Sequence, residues 1–270
     1  MKTLYVTDLD GTLLDSTPKT SEYTNSTINS LINAGAVITY ATARSLVTTK
    51  LVTNGLTFEY PLVVHNGTFI VDKDGNILSK NIFDKNDAVE ILNTILSVEL
   101  SPVVFSLIDG KQKFSYLKDS LNKETKAFID ARKTDPRNRP ANSSDELFDG
   151  ELYYFTLIGD ENKTSTLYEM YKERFQCYYQ KDMYSGDYWL EITPKSATKA
   201  NAVKQLARLL NCDRIVAFGD GINDIEMFSI ADECYAVENA VDKLKELSTD
   251  VIRSNTEDGV AHWLIENIKE

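Results

Sequence analysis

The sequence predicts an α/β protein whose core is a doubly wound, Rossmann-like parallel sheet, with an α+β domain inserted into it. Residues 1–83 alternate between strand-like and helix-like segments, as parallel strands with right-handed crossovers do. From residue 84 paired β-runs mix with helices, and near residue 189 the alternation returns. We therefore expect one domain built from residues 1–83 and 189–270, and an inserted α+β cap at 84–188.

The apolar patterns of the two outer segments define their elements. Two β-runs around Asp74-Gly75, within residues 68–80, predict a hairpin, because Asp-Gly favours a tight turn. The other expected strands are 3–8, 36–42, 61–65, 214–219, 234–237 and 250–252, and the expected helices are 24–34, 45–54, 199–210, 223–230, 239–247 and 257–268.

The middle segment has a different order of elements. The pattern predicts helices at 84–100, 120–132 and 161–174, and strands at 102–109, 113–117, 151–159 and 175–180. A Pro- and Asn-rich stretch at 131–145, which contains Arg137 and Arg139, is expected to be a solvated loop. The alternative is that one of its cations binds a second anionic group on a substrate.

Composition and charge exclude several classes of protein. Apolar and charged residues make up 42% and 26% of the 270, as in ordinary globular proteins, and the net charge of −12 disfavours nucleic acid and anionic membranes as partners. We expect no membrane span, since no run of about 18 apolar residues occurs. The absence of a secretory pattern and of paired cysteines predicts a cytoplasmic protein with reduced thiols.

Acidic residues follow two of the predicted strands. Asp8 and Asp10 come at the end of the first strand, and Asp220 and Asp224 follow the strand 214–219. Residues two apart in a strand point to the same side, so Asp8 and Asp10 are expected to project together. Carboxylates brought together at the carboxyl edge of a sheet repel one another, and a hard cation relieves this. Oxygen ligands without His or Cys indicate Mg²⁺.

Two further residues could bind an anion near these acids. Thr42 ends the strand 36–42 and can present a hydroxyl and nearby N–H groups at a helix start. Lys199 falls at the start of a predicted helix. A lysine there is unfavourable to the helix dipole, which indicates another use for it. Gly11 allows a sharp turn after Asp10, and Thr12 can donate a hydrogen bond or cap.

These motifs together resemble a known superfamily. DLDGT at 8–12, Thr42, Lys199 and GDGIND at 219–224 resemble the four ordered motifs of the haloacid dehalogenase superfamily. The long insert and HNGTFI at 65–70 resemble its Cof-type branch, subfamily IIB. The resemblance implies a Mg²⁺-dependent phosphatase.

The resemblance also implies a role for each matching residue. Asp8 would be the nucleophile that forms an aspartyl-phosphate, and Asp10 the general acid and base. Asp8, the backbone carbonyl of Asp10 and Asp220 would hold Mg²⁺, with Asp224 binding it directly or supporting the direct ligands. The expected phosphate- and substrate-binding residues are Gly11, Thr12, Thr42, Ala43, Arg44, Asn66, Lys199 and Asn223. Ala43 and Gly221 depart from the usual pattern, in which Gly and Asn are frequent.

The function expected from the resemblance is hydrolysis of small phosphorylated metabolites, with sugar phosphates as the foremost class. A phosphosugar mutase of the same superfamily is one alternative. A non-enzymatic protein that binds Mg²⁺ and phosphate for regulation is another, although Asp10 would then have no use. We expect a monomer or a weak homo-oligomer.

Overall fold

The computed structural model describes residues 1–181 and 186–268. Its elements begin with β1 (Thr3–Thr7), α1 (Glu22–Asn33), β2 (Val37–Tyr40), α2 (Leu46–Val52), β3 (Leu62–Val64), β4 (Phe69–Val71) and β5 (Ile77–Lys80). They continue with α3 (Lys85–Ser97), β6 (Val103–Ile108), β7 (Lys111–Leu117), α4 (Lys123–Asp130), β8 (Asn138–Ala141), β9 (Glu151–Gly159), α5 (Glu161–Tyr171), β10 (Gln176–Lys181) and β11 (Tyr188–Thr193). The last are α6 (Lys199–Leu209), β12 (Arg214–Gly219), α7 (Ile225–Phe228), β13 (Glu233–Val237), α8 (Asp242–Lys245), β14 (Asp250–Ile252) and α9 (Gly259–Asn267).

The chain divides into two compact units. The outer unit comprises Met1–Lys80 and Ala197–Glu270, and the middle unit comprises Asn81–Ser196. The expected limits, after residue 83 and before residue 189, differ from these. Residues 189–196 go with the middle unit, because β11 hydrogen-bonds to both β10 and β9 along its length.

A parallel sheet forms the centre of the outer unit, with strand order β14-β13-β12-β1-β2. Leu4 and Val6 of β1 are fully buried, as expected for a strand with neighbours on both sides in a parallel sheet. Thr7 lies opposite Phe218 of β12 and Tyr40 of β2. The carboxyl ends of these three strands are therefore neighbours, and the α/β class with a central parallel sheet is confirmed.

The region around the predicted strand 61–65 departs from simple parallel pairing. β3 pairs antiparallel with β4, and β4 with β5, in a small sheet of their own. An isolated parallel bridge between Ala41 and Val63 links it to the region after β2. The turn Asp72–Gly75 closes the β4–β5 hairpin, with Gly75 at φ +96°.

The middle unit is built on a six-stranded sheet of order β10-β11-β9-β6-β7-β8. All its pairs are antiparallel except β7 with β8. Its apolar core includes Ile91 and Leu92 of α3, Leu167 of α5 and Phe155 of β9. Burial of such side chains, at about 1.5–3 kcal/mol each, stabilises this unit.

The prediction of a loop at 131–145 is wrong for the middle part of that stretch. Residues 138–141 form β8, an edge strand beside β7. Arg137 is only 8% exposed and is paired with Asp135, while Arg139 is paired with Asp149. These ion pairs offset the cationic charge that made the stretch look solvated.

Candidate active site

Asp8 directly follows β1 and lies at the carboxyl edge of the parallel sheet. Its N–H donates to the carbonyl of Phe218 at 2.9 Å, which continues the pairing with β12 by one residue. The residue is 5% exposed. The chain then turns, because the carbonyl of Leu9 accepts hydrogen bonds from the N–H groups of Thr12 and Leu13. Asp8 is thus placed by strand pairing and not by a mobile loop.

The turn after Asp8 requires glycine at position 11. Gly11 has φ +75°, and a Cβ there would lie 2.3 Å from a carboxylate oxygen of Asp220. Any larger residue would displace that carboxylate. Thr12 contacts the same group, since its hydroxyl donates to Asp220 Oδ1 at 2.8 Å. Both residues pack on Asp220, and their roles at the phosphate stay predictions.

Asp220 and Asp224 follow β12 in a tight turn. Asp224 is fully buried, and its Oδ2 accepts the N–H groups of Asp220 and Gly221 at 3.1 and 3.0 Å. Its Oδ1 accepts from Lys199 Nζ at 2.8 Å. Both oxygens of Asp224 are therefore engaged in shaping the turn and holding the lysine. This arrangement favours Asp224 as a support for the metal ligands.

Lys199 is the first residue of α6. Thr198 caps the helix, its hydroxyl accepting the N–H of Asn201 at 3.1 Å. The Lys199 ammonium group is completely buried and lies 2.7 Å from Asp8 Oδ1 and 2.8 Å from Asp224 Oδ1. A buried charge needs such partners. The unfavourable position of a lysine at a helix start is thus explained by two carboxylates.

The carboxylates of this cluster carry more charge than the lysine neutralises. Burial raises the pKa of Asp8 to about 8, and the charges of Asp224 and Asp220 add to this against the opposing effect of Lys199. Burial likewise raises the pKa of Asp220 to about 6. Burial alone would lower the pKa of Lys199, but Asp224 and Asp8 outweigh it and raise it. A second cation would remove this excess.

The acidic residues fit a magnesium ion in both geometry and chemistry. Asp8, Asp220 and Asp224 each offer a carboxylate oxygen within 4.8 Å of the others. Oxygen ligands of this kind suit Mg²⁺. The side chain of Asp10 is not part of this group. β1 ends at Thr7, and Asp10 beyond it is exposed and paired with Arg44. The charge of Asp10 still contributes to the raised pKa of Asp220, and the expectation that Asp8 and Asp10 project together stays a prediction.

The segment after β2 forms a turn that could receive phosphate oxygens. Thr42 is fully buried, and its hydroxyl oxygen accepts the N–H of Arg44 at 3.1 Å. Because this oxygen accepts from Arg44, the hydroxyl proton of Thr42 points away from the Arg44 N–H. The neighbouring residue, Ala43, is exposed. The Arg44 guanidinium is held by Asp10, to which it donates through Nε and Nη2 at 2.7 and 2.6 Å.

Asn66 occupies a strained turn next to Thr42. His65, Asn66 and Gly67 have φ of +51°, +53° and +93°, a left-handed run that non-glycine residues rarely adopt. The N–H of Asn66 donates to the carbonyl of Thr42 at 2.9 Å, and Asn66 Oδ1 accepts from Asn223 Nδ2 at 3.4 Å. A Cβ on Gly67 would lie 2.2 Å from the carbonyl oxygen of Thr198.

Asn239 was not singled out from the sequence. It follows β13, the neighbour of β12, and its Nδ2 donates to the carbonyl of Gly11 at 2.7 Å. Its Oδ1 accepts the N–H of Asn255 at 3.0 Å. The signal was available, because a polar residue after a strand at the same sheet edge is the criterion that identified Asp220.

Comparison with known proteins shows the family. The profile of the haloacid dehalogenase-like hydrolases matches residues 5–264, so the chain belongs to this family of enzymes. This confirms the superfamily that the four motifs predicted. The described residues contain no helix that is both long and apolar enough to cross a membrane.

Several relatives align over nearly the whole chain. The 5-amino-6-(5-phospho-D-ribitylamino)uracil phosphatase YwtE of Bacillus subtilis is 29% identical, with 95% of each chain covered. The HMP-PP phosphatase of Serratia proteamaculans is 25% identical and covers 95% of this chain and 92% of its own. The crystal structure of TM0651 from Thermotoga maritima has a TM-score of 0.81 and 26% identity, covering 100% of this chain and 99% of that one.

Proposed function

We propose that this protein is a Mg²⁺-dependent phosphatase that hydrolyses small phosphorylated metabolites, sugar phosphates foremost, through an aspartyl-phosphate on Asp8. The observation that carries the proposal is the buried cluster in which Lys199 lies between Asp8 and Asp224, with Asp220 beside them. Relatives named as phosphatases support the reaction class. Mg²⁺, when bound by Asp8 and Asp220, supplies charge that offsets repulsion between carboxylate and phosphate.

In the first step an oxygen of Asp8 attacks phosphorus. Lys199 holds Oδ1 of Asp8 at 2.7 Å, so we assign the attack to Oδ2. The bond between phosphorus and the leaving oxygen breaks, and Asp10 gives that oxygen a proton. In this proposal the Thr42 hydroxyl and the N–H of Ala43 donate to phosphoryl oxygens, which is where charge grows in the transition state.

In the second step water attacks phosphorus and the bond to Asp8 breaks. Asp10, now a carboxylate, takes a proton from the water, so inorganic phosphate leaves and both aspartates return to their starting state. A protein that only bound phosphate would not need this second acid. The half-exposed position of Asp10 gives it access to solvent water, whereas Asp8 is buried.

The decisive experiment is release of phosphate from p-nitrophenyl phosphate with and without Mg²⁺. We expect Asp8→Asn to reduce turnover by more than about a thousandfold, because the nucleophile is lost. Asp74→Asn is the matched control: it makes the same change in an exposed hairpin turn and should leave turnover unaltered. Full activity of Asp8→Asn, or activity indifferent to Mg²⁺ and chelator, would refute the proposal.

A panel of phosphorylated metabolites then defines the substrate class. It should contain hexose and pentose phosphates, and the phosphorylated compounds named for the relatives, a phosphoribitylamino-uracil and HMP-PP. A mutase would instead show little net phosphate release and a requirement for a bisphosphate activator. A regulatory binder would bind a ligand tightly and hydrolyse none of the panel.

A further inference from the structure

Asp10 and Arg44 form a two-pronged ion pair at the edge of the candidate active site. Nε of Arg44 lies 2.7 Å from Asp10 Oδ2, and Nη2 lies 2.6 Å from Oδ1. The planar guanidinium matches a carboxylate in this arrangement and fixes both its position and its orientation. The pair therefore determines where the carboxyl group of Asp10 lies.

The backbone of Arg44 is itself well anchored. Its N–H donates to the Thr42 hydroxyl oxygen at 3.1 Å, and its carbonyl accepts the N–H of His65 at 2.9 Å. Asp10, in contrast, lies in a turn and its side chain is 49% exposed. Side chains of this kind adopt several rotamers unless a partner selects one. Arg44 supplies the fixed end of the pair, and Asp10 is the group that it orients.

We propose that Arg44 is a positioning residue that holds Asp10 in the orientation needed for proton transfer. The proposal rests on the proposed function, in which Asp10 protonates the leaving oxygen and later deprotonates water. A carboxylate has about four acceptor positions, and Arg44 uses two of them. A remaining position can carry the proton that is donated to the leaving oxygen, and can later accept a proton from water, so the ion pair and proton transfer are compatible.

The leaving group distinguishes this role from binding of the phosphoryl group. A p-nitrophenolate ion is stable in water and leaves without a proton, whereas the alkoxide of an alkyl or sugar phosphate requires one. The ratio kcat/KM reports on steps up to the first irreversible one, which is transfer of the phosphoryl group to Asp8. The value of kcat/KM therefore does not depend on the later hydrolysis of the aspartyl-phosphate, a step that needs Asp10 whichever substrate was used.

The experiment compares kcat/KM for p-nitrophenyl phosphate and for an alkyl phosphate, such as glycerol or hexose phosphate, in the same variants with Mg²⁺. For Arg44→Ala we expect a fall of about 10- to 100-fold on the alkyl phosphate, because misplaced acid groups lose much of their effect. On p-nitrophenyl phosphate the change should stay within about threefold. Arg44→Lys, which keeps the charge without the two-pronged geometry, should be intermediate.

Two controls separate positioning from a general loss of structure. Arg208→Ala removes an exposed arginine from α6 and should leave kcat/KM unchanged for both substrates. In an Asp10→Asn background, Arg44→Ala should cause no further loss on the alkyl phosphate, because the group that it positions is already absent.

Each other outcome overturns the role. Equal losses on both substrates would mean that Arg44 binds the phosphoryl group or supports the fold, and no loss on either would mean that the pair is without consequence. Additive losses in the Asp10→Asn background would show that Arg44 acts independently. A wild-type protein that releases no phosphate from either substrate would instead refute the proposed function itself, which is a separate result.

Discussion

The two units each bury an aspartate beside a basic side chain, and the two carboxyl groups respond in opposite ways. In the outer unit, burial and neighbouring acids raise the pKa of Asp8 to about 8 in spite of Lys199. In the middle unit, burial alone would raise the pKa of Asp135. Hydrogen bonds from Arg137 outweigh that effect and hold it below its ordinary value.

The difference follows from the balance of charge. Asp135 accepts three hydrogen bonds from Arg137, through the backbone N–H, Nε and Nη2. The charge of Arg132 also lowers its pKa, so basic groups at least match this single acid. Asp8 shares its lysine with Asp224, and Asp220 lies beside them. A matched buried pair is typical of structure, whereas an excess of like charge in a cleft is typical of a site awaiting a ligand.

The largest effect should come from removing the shared cation. Lys199→Met leaves Asp8 and Asp224 buried without their partner, and we expect a loss of about 3 kcal/mol in the free energy of unfolding. Hydrolysis of p-nitrophenyl phosphate should become undetectable. Urea denaturation and phosphate release measure the two effects. Lys204→Met, an exposed position on the same helix, is the control; equal effects of both variants would contradict this reading.

A smaller effect is expected in the middle unit, where the pair can be removed as a whole. Arg137→Met alone should cost about 2 kcal/mol, because it removes the guanidinium and two of the three hydrogen bonds that Asp135 accepts from this residue. The double variant Asp135→Asn/Arg137→Met should recover most of the loss, since a matched pair is often replaceable. Thermal unfolding measures both.

The same two variants also test Arg137 as a substrate-binding residue. If the pair is structural, kcat/KM for p-nitrophenyl phosphate and for bisphosphates should be unchanged in the double variant. A rise in KM confined to bisphosphates would instead assign Arg137 to a second anionic group of the substrate.

The smallest effect concerns pH and magnesium. The pKa of Asp8 is about 8 in the folded protein and near 3.8 when unfolded, so the metal-free native state binds more protons between these values. Its stability therefore falls as pH rises from about 4 to 8. Mg²⁺ competes with these protons, so the stabilisation that it gives should grow as the pH rises towards 8.

Unfolding temperatures with Mg²⁺ and with chelator, measured at pH 6 and pH 8, test this expectation. The difference between the two conditions should be greater at pH 8. Asp8→Asn should remove most of that pH dependence while the protein still folds. A difference independent of pH in the wild type would mean that the raised pKa of Asp8 has no part in metal binding.

Much of the site could be predicted because parallel strands end at one edge. Asp8, Thr42 and Asp220 each follow a strand, and the order β12-β1-β2 makes them neighbours. Lys199 was identifiable because its position at a helix start conflicts with the helix dipole. Residues of this kind are recognised from local rules that the sequence shows directly.

What could not be predicted depends on where strands stop and on contacts between distant segments. Asp10 lies beyond the end of β1 at Thr7, and its partner Arg44 is 34 positions away, so this ion pair does not follow from local spacing. The expected boundary at residue 189 cuts through β11, which belongs to the middle unit because it pairs with β9 and β10, two strands that α5 separates in the sequence. Asn239, which follows β13 beside β12, obeys the same local rule as Asp220.

The contact of Gly67 with the carbonyl of Thr198 has a consequence for how the protein can evolve. A single methyl group at position 67 would clash with the peptide that precedes Lys199. Relieving the clash would shift the start of α6 and, with it, the ammonium group of Lys199. The turn at 65–67 and the beginning of α6 are therefore packed so closely that neither can move without the other. We therefore expect substitutions to be tolerated at the exposed Ala43 far more readily than at Gly67.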